Sequence, residues 1–407
     1  MQVKFIALLG HKDHGKSTLI GSLLMQTGAA TKVRIKEAEE YSKRLHKAFE
    51  PAFILDSFAE ERLQEMTIDT TRAEIKHRNL AFALIDVPGH EELIKNMISG
   101  ASYGEIALLL VSAKRDEGIR DQTKRHLFIS RMLGIDRLVV AVNKMDTVGY
   151  DEGRFMEVKE GLVKFIEKIG FDTPNVAFVP ISAYKGENLV RKSRKMRWYS
   201  GKPLLDALYV SATKTNKTQD GALRIIAQGV IPGKKGNLIV GRVISGKIKV
   251  GEKISILPLG IDAKTRAIIV KNRSVGTGNV GENVALELDT PISGNPRGAV
   301  ISGSRDKPAV KDAVKLRIFV TGKFGDGMTA KFNGIDIPCK GIRVLRSVST
   351  TTGDADKSKT AKALEAAEAE LRLARKVPVE NYEVTKELGR FVLYRKGKFV
   401  GIGTVMT

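Results

Sequence analysis

Gly10-His11-Lys12-Asp13-His14-Gly15-Lys16-Ser17 lies between the apolar run Val3–Leu9 and the periodic stretch Ser17–Met25. It fits GxxxxGK[ST] with a predicted strand before it and a predicted helix after it, the context that separates a phosphate loop from an ordinary glycine turn. Glycine at both ends lets backbone N–H groups curl around phosphate oxygens with no Cβ in the way, and the helix N-terminus adds a positive dipole. Lys16 is expected to reach the β- and γ-phosphates, Ser17 to hold Mg²⁺, and Thr18 to close the cradle.

Outward from that loop, short apolar runs alternate with helix-like stretches. Predicted strands are Val3–Leu9, Leu80–Asp86, Ile106–Ser112, Leu138–Asn143 and Ala177–Ile181. Predicted helices are Ser17–Met25, Lys36–Phe49, Glu91–Ser99, Gln122–Leu133, Glu152–Ile169 and Pro203–Tyr209. Buried strands separated by amphipathic helices predict a mostly parallel α/β sheet. Two strand ends carry further chemistry. Asn143-Lys144-Met145-Asp146 closes one strand, and a carboxylate there can accept from the ring N1–H and 2-amino group of guanine, donors that adenine lacks. The lysine stem can lie along the base, and the backbone N–H groups of Ser182-Ala183-Tyr184 follow the next strand. Asp86-Val87-Pro88-Gly89-His90 closes another: Asp86 can hold Mg²⁺ through water, the Gly89 N–H can touch a γ-phosphate, and His90 can position a hydrolytic water. Upstream, Thr67 offers a hydroxyl to the same ion. The expected ligands are thus GTP or GDP with Mg²⁺; the expected reaction is GTP plus water to GDP plus phosphate, with His90, Thr67 and Lys16 as its catalytic residues.

Beyond residue 210 the texture changes to short β-branched runs separated by glycines, first Ala222–Val230 to Asn283–Leu288, then Val314–Thr321 to Arg390–Thr404. Strands at that spacing predict two β-barrels. The expected domains are 1–210, 211–305 and 309–407, with Asp306-Lys307-Pro308 as a linker; Asp354–Ala367 reads equally as a short helix or a loop. The 407 residues carry a formal net charge of +22. Residues 1–210 hold 33 Lys/Arg against 28 Asp/Glu, whereas residues 211–407 hold 35 against 18. The surplus of the second half predicts a polyanionic partner, nucleic acid foremost. A dense cluster, Arg191, Lys192, Arg194, Lys195 and Arg197, precedes the boundary. The single Cys339 excludes an internal disulfide and a cysteine-rich metal site, and favours a cytoplasmic protein. No apolar run approaches the roughly 20 residues of a membrane span.

With these motifs in order, the chain resembles the translational GTPases of the elongation factor Tu and elongation factor 1A type over essentially its whole length. Lys95-Asn96-Met97-Ile98-Ser99-Gly100-Ala101-Ser102, Gly241-Arg242-Val243 with Gly246 and Gly251, and Leu388-Gly389-Arg390-Phe391 carry the likeness. The segment Thr27 to Asp56, ending Ala52-Phe53-Ile54-Leu55-Asp56, is similar to the archaeal and eukaryotic branch with its release and ribosome-rescue relatives. The resemblance implies a P-loop G domain followed by two all-β barrels, and a Mg²⁺–GTP switch that reorients the barrels when Thr67 and Gly89 lose the γ-phosphate. It implies tRNA and/or the ribosome as partners, a guanine nucleotide exchange factor, no membrane, and a monomer or heteromer. A second likeness, in Arg125-His126-Leu127-Phe128-Ile129-Ser130 and Trp198-Tyr199-Ser200-Gly201-Lys202-Pro203-Leu204-Leu205, is to the GTPase subunit of sulfate adenylyltransferase; the basic second half favours RNA over that alternative.

The chain departs from the family in two places. Lys12 stands where relatives carry an apolar residue, typically valine, and Gln64-Glu65-Met66 stands where they carry Arg-Gly-Ile. One wing of the apolar gate near the catalytic histidine is therefore a lysine here. It either adds a cation near the γ-phosphate, pairs with Glu65, or extends to solvent. The Ala/Glu/Lys-rich segment Asp354–Glu370 is not family-like, which points to a specialised paralogue rather than the principal aminoacyl-tRNA carrier.

Overall fold

In the computed structural model, residues 2–44, 46, 48–55, 72–86, 104–132, 134–214, 221–233, 236–292 and 294–406 are described. The first part of the chain forms β1 (Gln2–Leu9), α1 (Lys16–Gln26), α2 (Lys32–Arg44), β2 (Arg72–His77), β3 (Leu80–Asp86), β4 (Gly104–Ser112), α3 (Asp121–Met132), β5 (Arg137–Asn143), α4 (Glu152–Lys168), β6 (Ala177–Pro180) and α5 (Leu204–Thr213). Ile6–Leu9, Ile106–Val111 and Leu138–Val142 are buried throughout. Continuous apolar runs of this kind belong to strands covered on both faces, as in a parallel sheet. The sheet order is β2-β3-β1-β4-β5-β6, parallel except for the β2–β3 pair. Leu19, Ile20, Leu23 and Leu24 of α1 enter the core against it. Helix α4 starts at Asp151, whose carboxylate accepts from the Arg154 N–H at 2.7 Å, and keeps Lys168 in its last turn to suit the dipole.

The order reverses at β1, whose neighbours β3 and β4 lead away to opposite sides. Ligands of open parallel sheets bind beyond the carboxyl ends of strands at such a switch point. The register sets Leu8 beside Asp86, Leu9 beside Leu109 and Ser112 beside Asn143, so the predicted motifs leave the sheet on one edge.

Two local expectations shift. Helix α2 runs from Lys32 to Arg44 rather than from Lys36 to Phe49. Strand β2 has no counterpart among the predicted elements; its Ala73 and Ile75 are buried while Glu74 and Lys76 face solvent, a two-residue period carried by only four residues. The predicted helix Glu91–Ser99 lies outside the described residues.

The second part is all β. Strands β7 (Arg224–Gly233), β8 (Gly236–Ser245), β9 (Lys247–Lys249), β10 (Lys253–Leu257), β11 (Ile261–Val270), β12 (Arg273–Val275), β13 (Thr277–Asn279), β14 (Asn283–Leu288) and β15 (Val300–Gly303) come first. The ladder β10-β15-β7-β8-β14-β11 closes through a β10–β11 pair, with β12 appended to β11 and a small β9–β13 ribbon beside it. Its interior is mostly β-branched: Ile225, Ile239, Val243, Ile254, Ile268 and Val284. Then follow β16 (Ala309–Val320), β17 (Met328–Phe332), β18 (Ile335–Val348), β19 (Ala355–Asp356), β20 (Ala366–Val379), β21 (Arg390–Arg395) and β22 (Lys398–Val405). The ladder β17-β21-β22-β16-β20-β18 closes through β17–β18. The fold is therefore a P-loop α/β domain followed by two all-β barrels.

By internal packing the chain divides into Met1–Lys214 with Thr350–Asp354, and Thr215–Ser349 with Ala355–Thr407. Within the second unit Arg224, 3% exposed, ties the two barrels together. Its guanidinium donates to the Glu380 carboxylate and, at 2.8 Å, to the Asp306 carbonyl. Among the described residues no helix is long and apolar enough to cross a membrane.

Candidate nucleotide-binding site

The loop after β1 is held open by two glycines. Gly10 adopts φ 140°, and a Cβ there would stand 2.6 Å from the Leu110 carbonyl oxygen; Gly15 adopts φ 85°, and a Cβ there would stand 2.7 Å from Asn143 Nδ2. Neither space nor backbone conformation admits a side chain at either position. Between them Lys12–His14 form one 3₁₀ turn. Helix α1 then starts with no side-chain cap and no acidic residue in its first turn, leaving its leading N–H groups and dipole for an anion. Ser17 lies exposed in that turn. Lys16, 8% exposed, folds back so that Nζ donates to the carbonyls of Gly10 at 3.2 Å and His11 at 3.4 Å, arching its ammonium over the loop.

His14 lies inside the loop, 1% exposed. Its Nδ1–H donates to the Leu110 carbonyl at 3.0 Å, and Nε2 has no partner among the described residues. Burial first, and the His11 and Lys144 charges after it, lower its pKa to about 4, so the ring is neutral at physiological pH. Its hydrogen bond to β4 fixes the ring inside the loop.

The other end of the site is organised by Asn143, 2% exposed at the end of β5. Its Nδ2 donates to the His14 carbonyl at 2.9 Å and its Oδ1 accepts from the Ala183 N–H at 2.8 Å. Both of its polar atoms are thus engaged in joining the phosphate loop to the 182–184 turn. Asp146 Oδ1 accepts from Ser182 Oγ at 2.6 Å, and the same Oγ accepts from the Lys185 N–H at 3.1 Å. Lys144 takes the left-handed conformation, φ 63°, and its ammonium meets Glu117 at 2.7 and 2.9 Å. Burial by itself would raise the Glu117 pKa; hydrogen bonds from Lys144 and Ser112 outweigh it and hold the carboxyl below its ordinary range. Tyr184 is exposed, with the Lys185 ammonium 4.9 Å over its ring.

Three contributors carry no motif: Leu110, whose carbonyl anchors His14; Glu117, which fixes Lys144; and Ser22 of α1, whose hydroxyl donates to the Ala183 carbonyl. Each reaches the site by long-range packing. Lys12 is exposed and has no partner among the described residues. Thr67, Glu65, Gly89 and His90 lie outside the described residues, and Asp86 is described only through its backbone in β3.

Residues 1–214 match the family described as "Elongation factor Tu GTP binding domain" and residues 323–406 the one described as "GTP-eEF1A C-terminal domain-like". The chain belongs to the elongation factor Tu GTP-binding family. Relatives in that family include elongation factor 1-alpha of Saccharolobus solfataricus, 35% identical with 98% of this chain and 96% of that protein covered. Elongation factor 1-alpha of Hyperthermus butylicus is 34% identical, with 98% and 95% covered. A solved structure of sup35 complexed with GMPPNP is 23% identical, covers 100% of this chain and 94% of its own, and has a TM-score of 0.45.

The family accounts for the architecture of the site. This is a GTP-binding protein of the elongation-factor type, and the family is one of GTPases. The glycine-walled loop, the arched Lys16 and the uncapped α1 fit a polyphosphate, and the exposed Ser17 hydroxyl suits a hard cation that prefers oxygen ligands.

Proposed function

We propose that the chain is a GTP-switched translation factor that hydrolyses GTP to GDP and phosphate and acts with tRNA and/or the ribosome. The observation that carries this reading is the buried Asn143 amide joining the phosphate loop to the 182–184 turn. It makes one site of a phosphate end and a base end. Lys16 and Gly89 read phosphate, and Asn143, Lys144, Asp146, Ser182, Ala183 and Tyr184 form the guanine end. Ser17, Thr67 and Asp86 hold Mg²⁺, which when bound neutralises phosphate charge. His90 orients the attacking water.

The functional division is 1–210, 211–305 and 309–407. The excess of 35 Lys/Arg over 18 Asp/Glu in residues 211–407 supports an RNA partner at the barrels. The departures at Lys12 and Asp354–Glu370 support a specialised paralogue; the single Cys339 supports the cytoplasm, and the chain acts as a monomer or with a protein partner such as an exchange factor. The test is GTP turnover with and without ribosomes, together with binding of aminoacyl-tRNA by the GTP form at moderate salt. A rise in turnover or GTP-dependent tRNA binding is expected. Failure of both, with co-purification of an ATP-sulfurylase-like subunit, overturns the reading in favour of sulfate activation. His90→Ala is expected to lose the stimulated rate.

A further inference from the structure

The basic run at 191–197 is a built surface. Met196 is 1% exposed and anchors the segment from beneath. Buried Asn188 donates to the Pro180 carbonyl at 3.0 Å and accepts from the Ser193 N–H at 2.9 Å. Trp198 Nε1 donates to the Tyr150 carbonyl at 3.0 Å, and the Trp198 ring lies 5.4 Å from that of Phe155. On this frame the two lysines are engaged locally: Lys192 donates to the Ser200 carbonyl at 3.0 Å, and Lys195 lies over the Tyr150 ring and 3.8 Å from Glu187.

The three arginines differ. Arg191, Arg194 and Arg197 are all exposed, and none has a hydrogen bond or ion pair among the described residues. The chain runs on from Arg197 into Trp198 and Tyr199, which line a groove of about 880 Å³ whose charged residues are Lys159, Lys202 and Lys214 with Glu152 and Glu167. Unpaired guanidinium groups that lead into an aromatic groove are the combination that single-stranded or looped RNA uses, phosphates on arginine and a base against an aromatic ring.

We propose that Arg191, Arg194 and Arg197 contact an RNA backbone from the nucleotide-binding unit itself, separately from the barrels. RNA matches both features at once, phosphates on the arginines and bases on the aromatic rings, so RNA is the occupant the surface favours and an acidic protein is an outcome of the test. Asn188 fixes this segment to Pro180, two residues before Ser182. The surface stands whether or not the chain is switched on the ribosome.

The test uses the full chain with GDP and unfractionated deacylated tRNA as probe. Trp198 is the chain's single tryptophan, so its emission reports on this surface alone. Binding to the wild-type chain is expected to quench it. Removal of three phosphate contacts in R191Q/R194Q/R197Q is expected to abolish the quench, lower the slope of log affinity against log salt by about 2 to 3, and weaken binding about tenfold or more near 100 mM salt. Unchanged GDP affinity in that variant establishes that it is folded. Wild-type affinity and slope in the variant, no RNA binding by the wild-type chain, or equal binding of poly-glutamate each overturns the proposal. Ribosome-independent GTP turnover, by contrast, bears only on the switch reading above.

Discussion

Asn143 donates its side-chain N–H to the carbonyl oxygen of His14 at 2.9 Å, across 129 residues of sequence. With its oxygen on the Ala183 N–H, this one buried amide sets the spacing between the phosphate and base ends of the site. Truncation in Asn143→Ala leaves a buried carbonyl and a buried N–H unpaired, each costing about 1–3 kcal/mol. The expected outcome is loss of both folding stability and nucleotide affinity, with GTP and GDP affected alike. Urea denaturation and fluorescent-GDP titration check it; a variant that loses affinity for GTP alone contradicts the joining role.

Asp146→Asn tests the guanine assignment. The carboxylate keeps one oxygen on Ser182 Oγ, a contact an amide oxygen can also accept, so the turn should survive. Selectivity should not: the amide offers a donor where a base N–H must be met, and preference is expected to move from guanosine to xanthosine nucleotides by about 10²-fold or more. Competition between the two diphosphates measures it, and an unchanged preference refutes the assignment.

His14 predicts an acid limit to stability. Its folded pKa of about 4 lies below the ordinary 6.5 because the ring is buried. Above pH 6.5 neither folded nor unfolded chain holds the proton. As the pH falls from 6.5 toward 4 the unfolded state takes it up and the folded state does not, so stability is lost across that window, by up to about 3 kcal/mol. Denaturation of His14→Asn at pH 7, 5.5 and 4.5 should show a shallower acid decline than wild type. An identical slope would falsify this.

Arg224 is expected to be a stability residue of the two barrels. Removal of one partner from a buried ion pair costs about 3–5 kcal/mol, because the remaining charge stays desolvated. Arg224→Ala should therefore lower the barrels' unfolding midpoint while leaving nucleotide affinity at its wild-type value. A change confined to nucleotide binding would contradict it.

Much of this architecture is readable from residues alone, and the exceptions have a common cause. The phosphate loop and the Asn143–Asp146 turn are local: their chemistry lies within eight and four consecutive residues. Strands such as Ile106–Val111 announce themselves by unbroken apolar runs. Asp354–Ala367, by contrast, reads as helix or loop, and its last residues, Ala366-Ala367, are helix formers. The end of that segment is the start of β20, hydrogen-bonded to β16 on one side and β18 on the other. Ala366, Ala367 and Ala369 are fully buried there, so ladder pairing and burial override intrinsic propensity. In the same way Glu117, Ser22 and Leu110 gain their roles from partners 27, 161 and 96 residues away, separations at which no local pattern operates.

Closure of the barrels has a consequence for how partners are chosen. A ladder joined end to end presents no row of unpaired N–H and C=O groups, apart here from the three-residue β9, β12 and β13 and the two-residue β19 among the described strands. Recruitment by added strands, which reads main chain and tolerates many sequences, is therefore closed to the basic half of the molecule. Whatever docks on the barrels must be recognised by side chains. Charge and shape then decide the match, and single substitutions on the partner or on the barrel walls should be enough to redirect it.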